Sequence, residues 1–280
     1  MTALRRLLRD PVAAFGLAIV LFAAFVAICA PWLAPYPEDA FESHILQRLK
    51  PPSAEFPFGT DALGRDILSR VILGTRGALM VAFSVVAVAA LIGVPIGLVA
   101  GWREGWLSEL LMRVTDVFLA VPQLILALAL SQLMRPGLTT AMVALALTYW
   151  PFFARTVFAE TRRLRSSLFV DALAAIGMPP RRILIAHILP NAAPAIIVRA
   201  TIGMGFTILT AATLGFLGVG AAPPDPDWGL AVAESRQHLP EAWWFSTFPG
   251  LAILLLVLGL NLLGDGLRDV ADPRLRRSRG

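Results

Sequence analysis

The stretch Gly77-Ala-Leu-Met-Val-Ala-Phe-Ser-Val-Val-Ala-Val-Ala-Ala-Leu-Ile-Gly-Val-Pro-Ile-Gly-Leu-Val-Ala-Gly101 carries no charged residue over 25 positions. A helix rises 1.5 Å per residue, so about 20 apolar residues cross the ~30 Å hydrocarbon core of a bilayer. An open chain in lipid satisfies its backbone hydrogen bonds only as a helix. The stretch therefore predicts a transmembrane helix and an all-α membrane protein.

Five further charge-free stretches are also long enough to cross a bilayer. They cover residues 12–30, 117–134, 136–154, 200–224 and 242–264. Arg135 alone separates two of them, so we expect a tight helical hairpin at Arg135-Pro136-Gly137. Pro95 and Pro122 are expected to kink their helices. Together with 77–101, these stretches predict six transmembrane helices.

The arginines gather at three places along the chain. They are Arg5, Arg6 and Arg9, then the connection 155–182, and then Arg274, Arg276, Arg277 and Arg279. Acidic residues gather instead in 35–76 and 225–241. Because cytoplasmic segments are enriched in Lys and Arg, both termini and the 155–182 connection are predicted to be cytoplasmic. Both termini on one side require an even number of spans, which six satisfies.

The composition excludes a soluble domain, because 57% of the 280 residues are hydrophobic and only 15% are charged. Soluble domains carry about a quarter charged residues. The mean hydropathy of +0.73 could not be hidden from water. The net charge of +5 reflects arginines beside apolar runs, so it indicates a membrane protein, not a nucleic-acid-binding one.

The sequence also lacks the motifs of several catalytic and cofactor sites. Lys50 is the only lysine and precedes Pro51, so no Walker-type phosphate loop is present. The three histidines have no metal-ligand spacing, and Cys29 is the single cysteine. We therefore expect no metal, no cofactor and no enzymatic activity in this chain.

We interpret residues 1–280 as one transmembrane domain. The first span and an external segment cover 11–76, the core spans cover 77–266, and a cytoplasmic loop covers 160–191. The first apolar stretch has 19 residues, more than the 7–15 of a signal peptide, so we expect it to be retained as a helix.

The 160–191 loop carries the signals of two short helices. Ser166 or Ser167 can cap a helix that ends at Gly177. Pro179 and Pro180 suit the first turn of a second helix, which is expected to end at Pro190. From these residues alone, the hairpin either receives another protein on its small-residue surface or lies on lipid headgroups.

The same loop resembles the cytoplasmic signature of ABC importer permeases. The residues that match this signature are Asp171, Ala172, Leu173, Gly177, Leu189 and Pro190. The family usually has Glu at the position of Asp171 and Ala at that of Leu173. The version His187-Ile-Leu-Pro-Asn191 is similar to that of the dipeptide/oligopeptide/nickel branch.

Three more segments resemble the C-type permease of that branch. They are Phe58-Gly-Thr-Asp-Ala-Leu-Gly-Arg-Asp66, Gly215-Phe-Leu-Gly-Val-Gly220 and Asn261-Leu-Leu-Gly-Asp-Gly-Leu-Arg-Asp269. The resemblance implies the transmembrane domain of a type I ABC importer in the bacterial inner membrane. It also implies three kinds of partner: a second homologous permease, two ATP-binding ATPase subunits and a periplasmic or extracellular solute-binding protein.

In that family the loop is a coupling helix that docks on an ATPase. The resemblance places Asp61, Gly64, Arg65 and Asp66 in the external region where the binding protein docks. These residues then have a docking or gating role, or they simply form a turn with weak surface ion pairs. The implied substrate is a di- or oligopeptide, with nickel or another small solute as the alternative.

Two other classes of membrane protein are alternatives to an ABC importer subunit. An ion-coupled secondary carrier needs buried ionisable groups, yet only Asp116 and Arg199 fall near the predicted spans. We expect Asp116 to pair with Arg113 at the membrane interface. An intramembrane enzyme would need a constellation of catalytic side chains, which is absent. At the outer ends of spans, Trp228, Trp243 and Trp244 are expected to form an interfacial belt and not a ligand cage.

Overall fold

The computed structural model describes residues 7–38, 40–135 and 137–271. Their α-helices, in chain order, are α1 (Pro11–Leu33), α2 (Ile67–Trp102), α3 (Trp106–Ala120), α4 (Gln123–Ser131), α5 (Leu138–Arg165), α6 (Leu168–Ala175), α7 (Pro180–Ile183), α8 (Leu189–Phe216), α9 (Trp228–Ser235) and α10 (Trp243–Ala271). Short 3-10 turns lie at Ile45–Gln47 and Arg236–His238, and a π-helical turn lies at Leu184–Ile188. β pairing in this part of the chain is limited to one bridge between Thr60 and Asp66.

Five segments of the described chain are long and apolar enough to cross a membrane. They are α1, α2, α5, the run Pro180–Phe216 and α10. The helices α3 and α4 qualify only as a pair, and they are bent by 87° at Val121-Pro122. A proline has no N–H and disfavours helical geometry in the residue before it, which explains the break.

The predicted third span, 117–134, is therefore wrong as a single helix. It is broken in the middle, and its first half begins at Trp106. This start brings Glu109, Arg113 and Asp116 into the helix, although the sequence predicts that they precede the span.

The bent pair makes one passage across the molecule, because α2 and α5 run in the same direction. Three glycines of α2 contact successive backbone positions of α5: Gly93 at Trp150, Gly97 at Ala154 and Gly101 at Phe158. Since α2 and α5 both end at the same end of the molecule, the segment 103–137 between them must return to the other end. With the bent pair counted as one span, the described residues contain six candidate crossings, which is the predicted number.

The helix α5 lies at the centre of the fold, and α1 lies at its edge. In the most apolar window of α5, 61% of residues are buried, against 11% in α1. Phe22, Phe25 and Ile28 of α1 are exposed, as expected for side chains that face lipid. On its inner side α1 packs closely on α10 through Gly16 and Gly259.

The predicted bounds of the fifth span, 200–224, need correction. The second loop helix does not end at Pro190. It passes through the π turn Leu184–Ile188 into α8, so that one helical run covers Pro180–Phe216. Inside an α-helix, a proline lacks the N–H for a hydrogen bond, and its ring clashes with the carbonyl four residues earlier. The π turn before Pro190, with its wider i to i+5 spacing, accommodates both effects.

The predicted sixth span, 242–264, corresponds to α10, which continues to Ala271. The turn predicted at Arg135-Pro136-Gly137 includes Pro136, which lies outside the described residues. The terminal arginines used to predict the orientation, except Arg9, also lie outside them.

Candidate functional site: the loop between the central helices and its surroundings

The first loop helix, α6, ends at Gly177 as predicted, in a hydrogen-bonded cap. Gly177 has a φ of +80°, a conformation that glycine adopts without the steric penalty of a Cβ. Its N–H donates to the Ala174 carbonyl at 2.9 Å, and the Met178 N–H donates to the Leu173 carbonyl at 3.1 Å. This pair of bonds is a Schellman motif, which reverses the chain sharply after α6.

An apolar cluster fixes the loop to the helices above it. Val170, Ile183 and Ile188 are buried, and the ends of α2 and α5 pack against them. Leu173 and Met178 join this cluster from the two sides of the Gly177 turn. The leucine that departs from the family signature therefore faces the protein, where its larger side chain adds apolar contact.

The opposite face of α6 is exposed and partly apolar. Leu168 is 86% exposed and Ile176 is 75% exposed. The predicted site residues Asp171, Ala172, Gly177 and Pro190 are also exposed, while Leu173 and Leu189 are half-buried. A Cβ at Gly177 would meet no atom within 4 Å, so this turn is open on its outer side.

Arg165, the last residue of α5, ties the base of the loop to α2. Its guanidinium donates to the Trp102 carbonyl and lies 3.1 Å from a Glu104 carboxylate oxygen. It also stacks over the Trp102 ring at 5.6 Å. The end of α5, the end of α2 and the loop therefore form one connected unit, which we call the loop end of the molecule.

At the other end, Asp61 and Arg65 form a buried ion pair. Arg65 Nε lies 2.6 Å from Asp61 Oδ2, and both side chains are almost fully buried. Arg65 also donates to Glu234 of α9 at 3.1 Å. The interpretation of this segment as a turn with weak surface ion pairs is therefore wrong, because the pair is buried and links the segment to α9.

Gly64 and Asp66 have backbone roles in the same segment. Gly64 has a φ of +79°, and a Cβ there would lie 1.8 Å from the His44 carbonyl oxygen. Asp66 caps α2 by accepting a bond from the Ser69 N–H at 2.7 Å. All four predicted docking or gating residues, Asp61, Gly64, Arg65 and Asp66, are buried, and their docking role stays a prediction.

Arg70, one turn into α2, connects this external segment to the connection between α8 and α9. It donates to the Ala40 carbonyl at 2.6 Å and to the Pro224 and Asp225 carbonyls at 3.1 and 3.2 Å. The sequence assigned no role to this residue, because its partners lie up to 155 residues away.

Burial raises the pKa values of two carboxyl groups near this network. Burial raises the pKa of Asp227. The backbone N–H groups of Leu230 and Gly229 donate to its carboxylate and partly oppose this rise. Burial also raises the pKa of Glu234, and the positive charges of Arg65 and Arg70 partly oppose this rise. Both groups hold their protons more tightly here than in the unfolded chain, so their ionisation as the pH rises opposes folding.

Two of the three tryptophans predicted for an interfacial belt are buried instead. Trp228 donates to the Val71 carbonyl at 3.1 Å, and Trp244 donates to the Thr60 carbonyl at 3.2 Å. Trp228 therefore joins α9 to α2, and Trp244 joins α10 to the segment that precedes α2. Trp243 is half exposed, and its place in an interfacial belt stays a prediction.

Three charged side chains, Asp116, Arg155 and Arg199, make contacts among α3, α5 and α8. Asp116 pairs with Arg155 of α5, not with Arg113 as predicted; Arg113 approaches Glu109 at 3.9 Å. The prediction was wrong because tertiary contact outweighed proximity within one helix. Arg199 of α8 donates to the Thr156 hydroxyl at 3.2 Å. The sequence predicted Arg155 in the connection 155–182, but it lies within α5, ten residues before the end of that helix.

The described residues contain no group of three or more His, Cys, Asp or Glu side chains that could hold a metal ion.

Comparison with known families and proteins agrees with this architecture. Residues 93–277 match the family described as binding-protein-dependent transport system inner membrane component. Residues 1–52 match the N-terminal transmembrane domain of oligopeptide transport permease C. The chain is also similar to the MetNI methionine ABC transporter in inward-facing conformations, with a TM-score of 0.59, 24% identity, and coverage of 71% of this chain and 95% of that one. This likeness supports the predicted fold, that of a type I ABC importer transmembrane domain.

Curated relatives align with nearly the whole chain. The dipeptide transport system permease protein DppC of Alkalihalophilus pseudofirmus is 42% identical over 98% of this chain and 90% of its own length. The di/tripeptide permease DppC of Pseudomonas aeruginosa is 40% identical over 94% and 88%. The glutathione permease GsiD of Pectobacterium atrosepticum is 41% identical over 97% and 90%. The chain belongs to the family of binding-protein-dependent inner membrane components, the permease subunits of ABC importers.

Proposed function

We propose that this chain imports di- or oligopeptides as one permease of an ATP-driven importer. It forms the translocation path with a second, homologous permease, and two separate ATPase subunits supply the energy. An extracytoplasmic solute-binding protein delivers the peptide. The observation that carries this proposal is the similarity to curated di- and tripeptide permeases over nearly the full chain.

The loop between α5 and α8 is the proposed contact with an ATPase. Its exposed face offers Asp171, Ala172 and the open turn at Gly177, while its inner face is fixed to α2 and α5. A carboxylate such as that of Asp171 can accept strong hydrogen bonds from an arginine of the partner. Because the Arg165 contacts join the loop to both helices, a displacement of the loop moves α2 and α5 together.

The two ends of the molecule then take opposite sides of the membrane. We place the loop end in the cytoplasm and the external segment 34–66 with α9 on the outer side. The buried Asp61–Arg65–Glu234 network is proposed to hold these outer elements in one shape, on whose surface the binding protein docks. Asp61, Gly64, Arg65 and Asp66 would thus act on docking or gating by fixing that surface.

Co-expression with the neighbouring transport genes followed by reconstitution tests this function. The complex purified through a tag on this chain should contain a second permease and two ATPase chains. In vesicles it should accumulate a radiolabelled dipeptide only with ATP and the binding protein. Uptake driven by a proton gradient without ATP would contradict the proposal in favour of a secondary carrier. ATP-driven uptake of nickel without peptide uptake would contradict the substrate.

A further inference from the structure

The charged side chains that link α3, α5 and α8 lie at one level along these helices. Asp116, Arg155 and Arg199 are each about ten residues from the loop end of their helix, which corresponds to roughly 15 Å. Contacts join α3 to α5 and α5 to α8 at this depth. The three residues therefore form one layer across α3, α5 and α8.

This layer is not enclosed within the chain. The side chain of Asp116 is 51% exposed and that of Arg155 is 38% exposed, and Arg199 is partly exposed. Charged groups inside a membrane protein avoid lipid and face water or another protein surface. The exposed edge of this layer therefore marks the side of the chain that borders a polar path.

The layer carries a net positive charge that belongs to Arg199. Asp116 and Arg155 neutralise each other as an ion pair. Among the described residues, Arg199 makes no ion pair; its guanidinium donates to the Thr156 hydroxyl and lies 5.6 Å from the Phe152 ring centre. Tyr149, which also lies within its reach, adds no formal charge. A guanidinium has five N–H donors, so most of its hydrogen-bonding capacity is free for an anion.

We infer that Arg199 binds the C-terminal carboxylate of the peptide as it crosses the membrane. The inference rests on the proposed function. Every unmodified peptide ends in a carboxylate, so a single cation recognises the whole substrate class without selecting side chains. Thr156 and the Phe152 ring orient the guanidinium and leave its remaining donors to form a charge-assisted pair with a carboxylate.

The test compares two peptides in the reconstituted complete importer. The probes are dialanine with a free carboxylate and dialanine amide, and the protein is wild type, Arg199→Gln or Arg199→Lys. For each peptide, uptake by the variant is divided by uptake by wild type, so that discrimination by the unchanged binding protein cancels. Arg199→Gln is expected to lower dialanine uptake about tenfold or more and to leave amide uptake within about twofold, and Arg199→Lys should recover most of the dialanine uptake.

The controls separate this inference from the proposed function. Arg103→Gln, in the exposed connection between α2 and α3, should change neither ratio. If Arg199→Gln lowers uptake of both peptides equally, or of neither, the inference is overturned while the importer stands. An equal loss would mean that Arg199 supports the fold or holds a lipid phosphate. If the wild-type complex imports no peptide with ATP, the proposed function itself fails.

Discussion

At the scale of single residues, Gly177 has a backbone conformation that would strain any other residue, and the space on its outer side is open. Its φ of +80° closes α6, and a Cβ there would point into empty space. A side chain at this position therefore costs about 1 kcal/mol of backbone strain but causes no clash within the chain. We expect Gly177→Trp to insert and fold, and to lose peptide uptake and co-purifying ATPase, because its indole covers the proposed docking face.

Gly177→Asn is the matched control for this prediction. Asparagine tolerates a positive φ better than other side chains, and it projects much less from the turn. It should retain most uptake and bind the ATPase. Normal uptake by Gly177→Trp would show that the loop face at Gly177 does not contact the ATPase.

At the scale of helices, the contact between α2 and α5 depends on three glycines at four-residue spacing. A Cβ at Gly97 would lie 2.6 Å from the Ala154 carbonyl oxygen and 2.8 Å from the Val157 Cβ. Small residues at this spacing allow two membrane helices to approach closely. Gly97→Leu should separate the helices and lower the midpoint of thermal unfolding of the purified complex by about 5 °C or more.

Gly77, on the same helix, provides the control. A Cβ there meets nothing within 4 Å, so Gly77→Leu should leave the unfolding midpoint within about 2 °C of wild type. Equal midpoints for the two leucine variants would mean that α2 and α5 do not pack through these glycines.

The elements differ in how far the sequence alone could predict them. The charge-free stretches located the candidate spans, because solubility in lipid is a property of each segment, but they did not reveal the bend that divides 117–134. The Gly177 turn was equally predictable, since its cap involves neighbours within five residues. The four-residue glycine spacing on α2 was also visible in the sequence, although its partner helix was not.

Contacts between distant residues set the features that sequence reasoning missed. The Arg155 contact allows Asp116 to lie inside α3, so that helix begins before the charge-free stretch. The Arg65–Glu234 bond joins residues 169 positions apart and buries a segment whose charges indicated a surface turn. A single sequence gives the charges but not their pairing, and pairing decides whether a charge can be buried.

At the scale of the whole molecule, the number and direction of crossings decide which surfaces meet which partners. The parallel contact of α2 and α5 requires the bent pair α3–α4 to cross once, which places the loop and the external segment on opposite sides. If the pair entered and left on one side, the loop would share a side with the segment 34–66. The ATPase and the binding protein would then compete for the same face.

Cysteine labelling measures this arrangement directly. In a Cys29→Ala background, Leu46→Cys places a thiol on a fully exposed residue of the external segment, and Arg103→Cys places one at the exposed loop end. A membrane-impermeant maleimide should label the Leu46→Cys variant in spheroplasts and the Arg103→Cys variant only in inside-out vesicles. Labelling of both from one side would contradict the single crossing by α3–α4. A complete reversal would retain six crossings but invert the proposed orientation, since the arginine-rich loop would then face outward against the positive-inside preference.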